Sequence, residues 1–153
     1  MMNLKRLSAS KSSLFFILAV AGIGFLDAVY LTIEHYMNAI PPCTFSGCEI
    51  VLTSPYAEIA GIPVALLGAL YYLAILVLGI AHLDTKENIF ISWTYILAIL
   101  GFIATIYFFL LQAFVINSFC QYCLISTATS TLIFLVAIIK FKTIQQQPQH
   151  EPL

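Results

Sequence analysis

Four long apolar stretches constrain the fold of this 153-residue chain more than any other feature of its sequence. They cover about residues 14–34, 61–83, 89–112 and 120–140. About 20 helical residues cross a hydrocarbon layer of ~30 Å, so each stretch is long enough to span a membrane. Only 8% of the residues are charged, which is too few for a soluble domain of this length. We therefore predict an all-α membrane protein, a single domain over residues 1–153 built as a four-helix transmembrane bundle in the lipid bilayer.

The first stretch also has features of a secretion signal. Basic residues precede it, and Ala19-Val20-Ala21 resembles a signal-peptidase site. However, the apolar core before that site, residues 14–18, is short for such a signal, and the hydrophobicity continues beyond it. We therefore expect the segment to remain as the first membrane helix.

The basic residues predict how the bundle is oriented. With four spans, the N-terminus, the turn between the second and third spans and the tail at 141–153 share one side of the membrane. All six Lys and Arg residues fall on that side, which should therefore be cytoplasmic: Lys5, Arg6, Lys11, Lys86, Lys140 and Lys142. The opposite side receives the long loop 35–60 and a short turn before the fourth span. The net charge of −1 gives no basic surface for nucleic acid.

All four cysteines lie in or beside the two outer segments. Cys43 and Cys48 belong to the long loop, and Cys120 and Cys123 open the fourth span. An outer compartment is oxidising, so disulfides form and persist there. Four cysteines allow three pairings, and the sequence does not choose between them.

The stretch "SFCQYC" at residues 118–123 favours a redox-active pair. Ser118 followed by Gln121 fits a capping box, with Ser118 as the N-cap. Cys120 would then lie in the first helical turn, where free N–H groups and the helix dipole favour a thiolate. Cys123 follows one turn later on the same face, toward the interior of the bundle.

Two other interpretations of the cysteines are open. Both pairs can be inert disulfides in a non-catalytic membrane protein, such as a partner-binding subunit, but each would close only a few residues and stabilise little. Alternatively, the four thiolates have a spacing compatible with zinc, although structural zinc thiolates favour reducing compartments. We predict redox chemistry and no metal.

Two thiol pairs on one surface indicate an electron relay. Electrons from a water-soluble dithiol would enter at the loop pair and pass to the pair at the membrane. The chain has no haem or flavin pattern, so a lipid-soluble quinone between the helices is the simplest acceptor.

Several segments together resemble the vitamin K epoxide reductase family, specifically its bacterial quinone-linked thiol oxidases. The matching segments extend over about residues 22–134. They are "LDAVYLTIEHY" at 26–36, the loop cysteines, "TSPYAEIAGIPVALLGALYY" at 53–72 and "LQAFVINSFCQYCLIS" at 111–126. The DsbB family has a similar role and four spans, but there the CxxC lies in the first outer loop.

The resemblance implies a function and a role for each cysteine. A separate periplasmic or extracellular thioredoxin-fold thiol oxidase, DsbA-like, would be reoxidised by disulfide exchange, supporting disulfide bond formation at the inner (plasma) membrane. Its thiolate would attack Cys43, and Cys48 would carry the exchange to Cys120. Cys123 would be the thiol next to the quinone, with Cys120 resolving.

The resemblance also implies which residues contact the quinone. Val64 and Thr127 align with the Asn and Tyr that hydrogen-bond the naphthoquinone in vertebrate members. Neither carries the expected group, so the implied acceptor is a respiratory quinone, ubiquinone or menaquinone, rather than vitamin K epoxide. Ser54 and Pro55 predict the N-cap and first position of a short amphipathic helix that ends near Gly61 and lies across the bundle mouth. Ser54 is a third candidate contact.

Two further residues are candidates for proton transfer. Asp27 is a carboxylate inside the first span, where a charge is costly and often functional. It would either deliver protons to the reduced quinone or hydrogen-bond the start of another helix near Ser118. His35, at the interface, would either accept protons or form the solvated end of the helix.

Overall fold

Five α-helices make up most of the part of the chain that the structure describes. The computed structural model describes residues 2–44, 47–85 and 88–145, with side chains for 12–44, 47–85 and 89–139. In chain order the helices are α1 (Met2–Tyr36), α2 (Cys48–Leu52), α3 (Val64–Thr85), α4 (Asn88–Leu110) and α5 (Gln121–Gln145).

Within the described residues, four segments are long and apolar enough to cross a membrane: Ser12–Tyr36, Val64–Thr85, Ile89–Ile116 and Gln121–Ile139. The predicted all-α membrane bundle is therefore confirmed. Lys86 and the end of the tail, 146–153, lie outside the described residues, and the orientation across the membrane stays a prediction.

The four spanning helices form a closed ring. α1 packs against α3 and α5, and α4 packs against the same two helices. Small residues let the helices approach closely. A Cβ on Gly24 would collide with the Tyr72 ring, and one on Gly68 would touch the Ala28 Cβ. The buried core consists of Ile17, Val20, Ala21, Ala28, Ala69, Tyr72, Ile75, Ala98, Ile133 and Ala137.

The outer surface of the bundle is apolar. Phe15, Leu26 and Ile80 are each more than half exposed and lie on spanning helices. In water such a surface would drive aggregation, whereas in a bilayer it contacts acyl chains. The exposed face thus agrees with the membrane assignment.

The loop between α1 and α3 contains α2, a 3₁₀ turn and a small hairpin. The 3₁₀ turn covers Pro55–Ala57, and β1 (Glu58–Ile59) pairs antiparallel with β2 (Ile62–Pro63). The hairpin turns at Ala60 and Gly61, both with positive φ. Ser54 and Pro55 take the predicted N-cap and first helical positions, but of a 3₁₀ turn that ends at Ala57, so the prediction of a helix that continues to near Gly61 is wrong. Left-handed backbone at two successive residues ends any helix, and the short helix of this loop lies earlier, at α2.

α2 is amphipathic by burial, as expected for the helix of the outer loop. It buries Cys48 and Val51 and exposes Glu49 and Ile50. The buried side packs toward the start of α5. α2 thus places one loop cysteine against the bundle.

The third span ends in an unusual segment. After Leu110 the α-helix continues as a π-helix over Leu111–Ile116, which ends at Asn117 in the left-handed conformation, with φ of 53°. π-helical turns are rare and frequently occur at functional sites. This one leads directly into the turn that contains Cys120.

Candidate thiol–disulfide site

The structure pairs two of the four cysteines. Cys43 and Cys48 form a disulfide with a Cα–Cα distance of 6.3 Å, and Cys120 and Cys123 are free thiols. This fixes the pairing that the sequence leaves open. The disulfide also removes two of the four thiolates that the zinc interpretation requires.

The two pairs meet in one apolar cluster. Cys48, Val51 and Cys120 form its buried centre, and Cys43 and Cys123 pack against it. Cys48 is 1% exposed and Cys120 is 0% exposed, whereas Cys43 is only partly buried. A soluble thiol therefore has access to Cys43, and water is largely excluded where the two pairs adjoin.

Contacts from the start of α5 hold the cysteine loop in place. The Thr44 N–H donates to Gln121 Oε1 at 2.9 Å, and the Tyr122 hydroxyl donates to the Pro42 carbonyl at 2.9 Å. Gly47 lies so close to the backbone of Phe119 that a Cβ there would collide with its carbonyl. Both sides of the Cys43–Cys48 disulfide are thus attached to the segment that contains Cys120 and Cys123.

The predicted capping box is wrong. α5 begins at Gln121, so Cys120 precedes the helix and its carbonyl accepts the bond from the Leu124 N–H at 3.0 Å. Gln121 is not available for capping because its side chain accepts the bond from the loop at Thr44.

Gln112, in the π segment, instead accepts hydrogen bonds from backbone N–H groups that precede α5. Its side-chain oxygen accepts the Cys120 N–H at 3.1 Å, and its carbonyl accepts the Ser118 N–H at 3.2 Å. Gln112 is buried, at 3% exposure. An unpaired amide is costly in such a place, so this bond fixes the backbone at Cys120.

Hydrogen bonds favour the thiolate of Cys120. The Cys123 side chain lowers the pKa of the Cys120 thiol to about 7, the backbone N–H groups of Cys123 and Tyr122 act in the same direction, and burial opposes them. A thiol with a pKa near ambient pH is a competent partner in disulfide exchange, both as attacking and as leaving group.

A cavity of about 710 Å³ opens inside the bundle beside this cluster. Of the four cysteines, all of which the structure describes, Cys123 alone lines it. The structure brings all five of the predicted quinone and proton residues to the same cavity: Ser54, Val64, Thr127, Asp27 and His35. Its wall is mostly apolar, with a few polar groups, as is typical of small-molecule sites.

The predicted residues differ in how their polar atoms are used. The Ser54 hydroxyl donates to the Val51 carbonyl at 2.7 Å, and the Thr127 hydroxyl donates to the Cys123 carbonyl at 2.8 Å. His35 Nε2 lies 3.2 Å from Glu58 Oε1, so His35 is more than a solvated helix end.

Asp27 does not make the hydrogen bond expected near Ser118. Its Oδ2 is buried and has no hydrogen-bond partner among the described residues. The carboxylate is close enough to Cys120 and Cys123 to act on both thiols electrostatically.

Three residues of the site were not predicted from the sequence. Gln112 interrupts an apolar span, and that signal was available. Tyr71 and Ser130 also line the cavity, and their hydroxyls are buried without a hydrogen-bond partner in the part of the chain that the structure describes. Nothing in the sequence distinguishes them from the many other hydroxyls of the bundle.

One comparison with known proteins bears on the whole site. The sequence model of the vitamin K epoxide reductase family matches residues 15–138, which include both cysteine pairs and all but the outermost residues of the four spans.

Proposed function

The chain belongs to the vitamin K epoxide reductase family, a family of membrane oxidoreductases, and from this premise we propose that it is a quinone-linked thiol oxidase. It would reoxidise a separate thioredoxin-fold, DsbA-like partner by disulfide exchange and pass two electrons to a quinone. The observation that carries the proposal is the contact between a disulfide, Cys43–Cys48, and a free pair, Cys120/Cys123, beside a large cavity.

The first half of the cycle exchanges disulfides. A thiolate of the partner attacks Cys43, the Cys43–Cys48 bond breaks, and Cys48 leaves as a thiolate. Cys48 then attacks Cys120 of an inner disulfide, which releases Cys123. The partner's second thiol and then Cys43 resolve the two mixed disulfides. The partner and the outer pair end as disulfides, and the inner pair ends reduced.

The redox state of the structure corresponds to the end of that exchange. The outer pair is a disulfide and the inner pair is a dithiol. The next step re-forms the Cys120–Cys123 disulfide, with loss of two electrons and two protons. The lowered pKa of Cys120 helps its proton to leave.

The cavity fits a quinone. Its volume of about 710 Å³ accommodates a substituted ring. Three of its lining residues each have a buried polar atom without a partner among the described residues: Asp27 Oδ2, Tyr71 Oη and Ser130 Oγ. A quinone bound there would supply an acceptor for two electrons and two protons. Cys123 is the adjacent thiol, and Asp27 lies where it can take up a thiol proton. His35, at the rim, is the candidate for proton exchange with water.

Location and partner belong to the same proposal. All six basic residues fall at the ends of the predicted spans away from the cysteines. We infer an inner (plasma) membrane protein with both termini in the cytoplasm and the cysteines on the outer face. Cys43, which is partly exposed, is the entry point for the soluble partner.

The test is a coupled assay with purified protein in nanodiscs. A reduced DsbA-like oxidase and a short-chain ubiquinone or menaquinone analogue are supplied, and partner thiols and quinone absorbance are followed together. The proposal predicts one quinone reduced per partner disulfide formed. If the partner thiols stay reduced and the redox state of the inner pair does not change when quinone is added, the protein is instead a non-catalytic subunit whose disulfides are structural. In that case Cys43→Ala should lower thermal stability without any activity to lose.

A further inference from the structure

The three residues predicted to contact the quinone have no free hydrogen-bond donor in their side chains. Val64 has an aliphatic side chain, and the hydroxyls of Ser54 and Thr127 already donate to backbone carbonyls. A quinone carbonyl oxygen is an acceptor and needs a donor opposite it. The polar recognition must therefore come from other groups in the cavity.

Two hydroxyls of the cavity wall are unpaired within the described residues. Tyr71 on α3 and Ser130 on α5 both line the cavity, and both hydroxyl oxygens are buried without a hydrogen-bond partner there. Ser130 is only 3% exposed. The two side chains are near enough to influence each other, but their geometry does not complete a hydrogen bond. Buried hydroxyls are nearly always satisfied, so two unsatisfied ones at one cavity indicate a ligand.

The neighbouring tyrosine shows what a structural hydroxyl looks like in this bundle. The Tyr72 hydroxyl lies 2.7 Å from Thr129 Oγ1 and 3.1 Å from Ser126 Oγ, and it donates to the Ser126 carbonyl at 2.9 Å. Tyr72 thus ties α3 to α5, whereas Tyr71, one residue earlier, makes no such bond to any described residue.

A glycine makes room for Tyr71. A Cβ on Gly101 of α4 would overlap the phenol end of the Tyr71 side chain. The absence of a side chain at 101 lets the phenol end of Tyr71 pack directly against α4, and both residues line the cavity.

Ser130 lies on the same face of α5 as Cys123. The α5 residues that line the cavity are Cys123, Ser126, Thr127 and Ser130, which follow helical spacing. Ser130 follows Cys123 by seven positions, or about 10 Å along the helix axis. This distance leaves space for a six-membered ring between the thiol and the two hydroxyls.

We propose that the hydroxyls of Tyr71 and Ser130 form a polar subsite that binds one carbonyl oxygen of a quinone and directs the opposite edge of the ring toward Cys123. This inference rests on the proposed function and names its positioning residues. Each hydroxyl donates one hydrogen bond to the same carbonyl oxygen. No covalent bond forms at this subsite, and the electrons arrive at the other edge of the ring.

The test removes each hydroxyl and little else. Tyr71→Phe, Ser130→Ala and the double variant are assayed with the short-chain quinone, and the KM for quinone should rise about three- to tenfold for each single variant. The KM for the reduced partner should stay unchanged. The quinone-induced rise in Tm, measured without any thiol substrate, should shrink in parallel.

Two controls separate binding from folding. Tyr107→Phe makes the same chemical change at an exposed position that does not line the cavity, so it should alter neither KM nor the quinone-induced Tm shift. Without quinone, Tyr71→Phe should keep the parent Tm because it removes an unpaired hydroxyl, whereas Tyr72→Phe should lower it.

The outcomes distinguish this inference from the function beneath it. If the parent reduces quinone but Tyr71→Phe and Ser130→Ala both keep its KM and its Tm shift within twofold, the subsite is refuted and the thiol oxidase stands. If the parent protein neither reduces nor binds quinone, both the subsite and the proposed function are refuted. Should Tyr71→Phe fail to fold, Gly101→Ala, which displaces the phenol, gives the same test.

Discussion

The two cysteine pairs differ in what holds them. The inner pair, Cys120/Cys123, lies at the start of a membrane helix. The buried side-chain amide of Gln112 holds it in place by accepting a hydrogen bond from the Cys120 N–H. The outer pair lies on a loop whose hydrogen bonds near the disulfide lead to the inner segment, at Gln121 and Tyr122. The bundle therefore positions the inner pair, and the inner segment positions the outer one. The outer pair can meet a soluble partner while the inner one keeps its place beside the cavity.

The largest expected effect comes from removing one pair at a time. Replacing both Cys43 and Cys48 by Ser should abolish oxidation of the protein partner but leave quinone reduction by dithiothreitol, a small thiol that we expect to reach Cys123 through the cavity. Cys123→Ser should lower quinone reduction by about a thousandfold or more with either reductant. The measurement is quinone absorbance with each reductant. If dithiothreitol also failed with the first variant, the two pairs would not be separable as described.

A second test concerns the thiolate of Cys120. The pKa of about 7 depends mainly on the hydrogen bond from Cys123. This bond stabilises the charged form, so the thiolate forms above pH 7 and is lost below it. Cys123→Ala should raise the midpoint toward the ordinary value of about 8.5, which lowers the thiolate population at pH 7 about fifteenfold.

Ultraviolet thiolate absorbance, with the outer disulfide intact, reports that midpoint. Cys123→Ser, which keeps a donor, is the matched control and should stay close to pH 7. Equal midpoints for the Ser and Ala variants would show that the hydrogen bond is not the cause.

A third test compares two glutamines whose side-chain oxygens each accept a backbone N–H, Gln112 in a buried place and Gln121 in an exposed one. Gln112→Leu leaves the buried Cys120 N–H unpaired and should lower the free energy of unfolding by about 1–3 kcal/mol. Gln121→Leu exposes the Thr44 N–H to water and should cost about 0.5–1 kcal/mol. Thermal unfolding in detergent measures both. If the Gln121 variant were the less stable one, the loop would support the helix start rather than the reverse.

The smallest effect is expected at the rim. Glu58→Gln removes the ion pair with His35; the Glu58 side chain is 48% exposed and that of His35 is 29% exposed. Water screens such a pair, so stability should change by less than about 0.5 kcal/mol. A thermal shift well beyond that would mean that the hairpin is held mainly by this contact.

Much of the architecture could be predicted because length and hydropathy carry it. The four spans come from the apolar runs, and the shared side of the cysteines comes from their positions between those runs. Asp27 was conspicuous as a carboxylate in an apolar run. Tyr71 was not conspicuous, because only the rotation of α3 in the folded bundle decides that the Tyr72 hydroxyl has hydrogen-bond partners and the Tyr71 hydroxyl has none among the described residues. The hairpin after Pro55 and the role of Gln112 likewise depend on contacts between segments of the folded chain.

The π segment Leu111–Ile116 has a consequence for the length of the chain. Its wider turn accommodates one residue more than an α-helix would use over the same rise. Deleting a single residue between 113 and 116 would therefore let an ordinary helical turn cover the same rise, and the backbone beyond it would keep nearly the same direction. The same deletion within the regular helix of α4 would rotate everything beyond it by about 100°. Alignments or redesigns of such proteins should thus expect a one-residue gap to be tolerated better at this junction than earlier in the span.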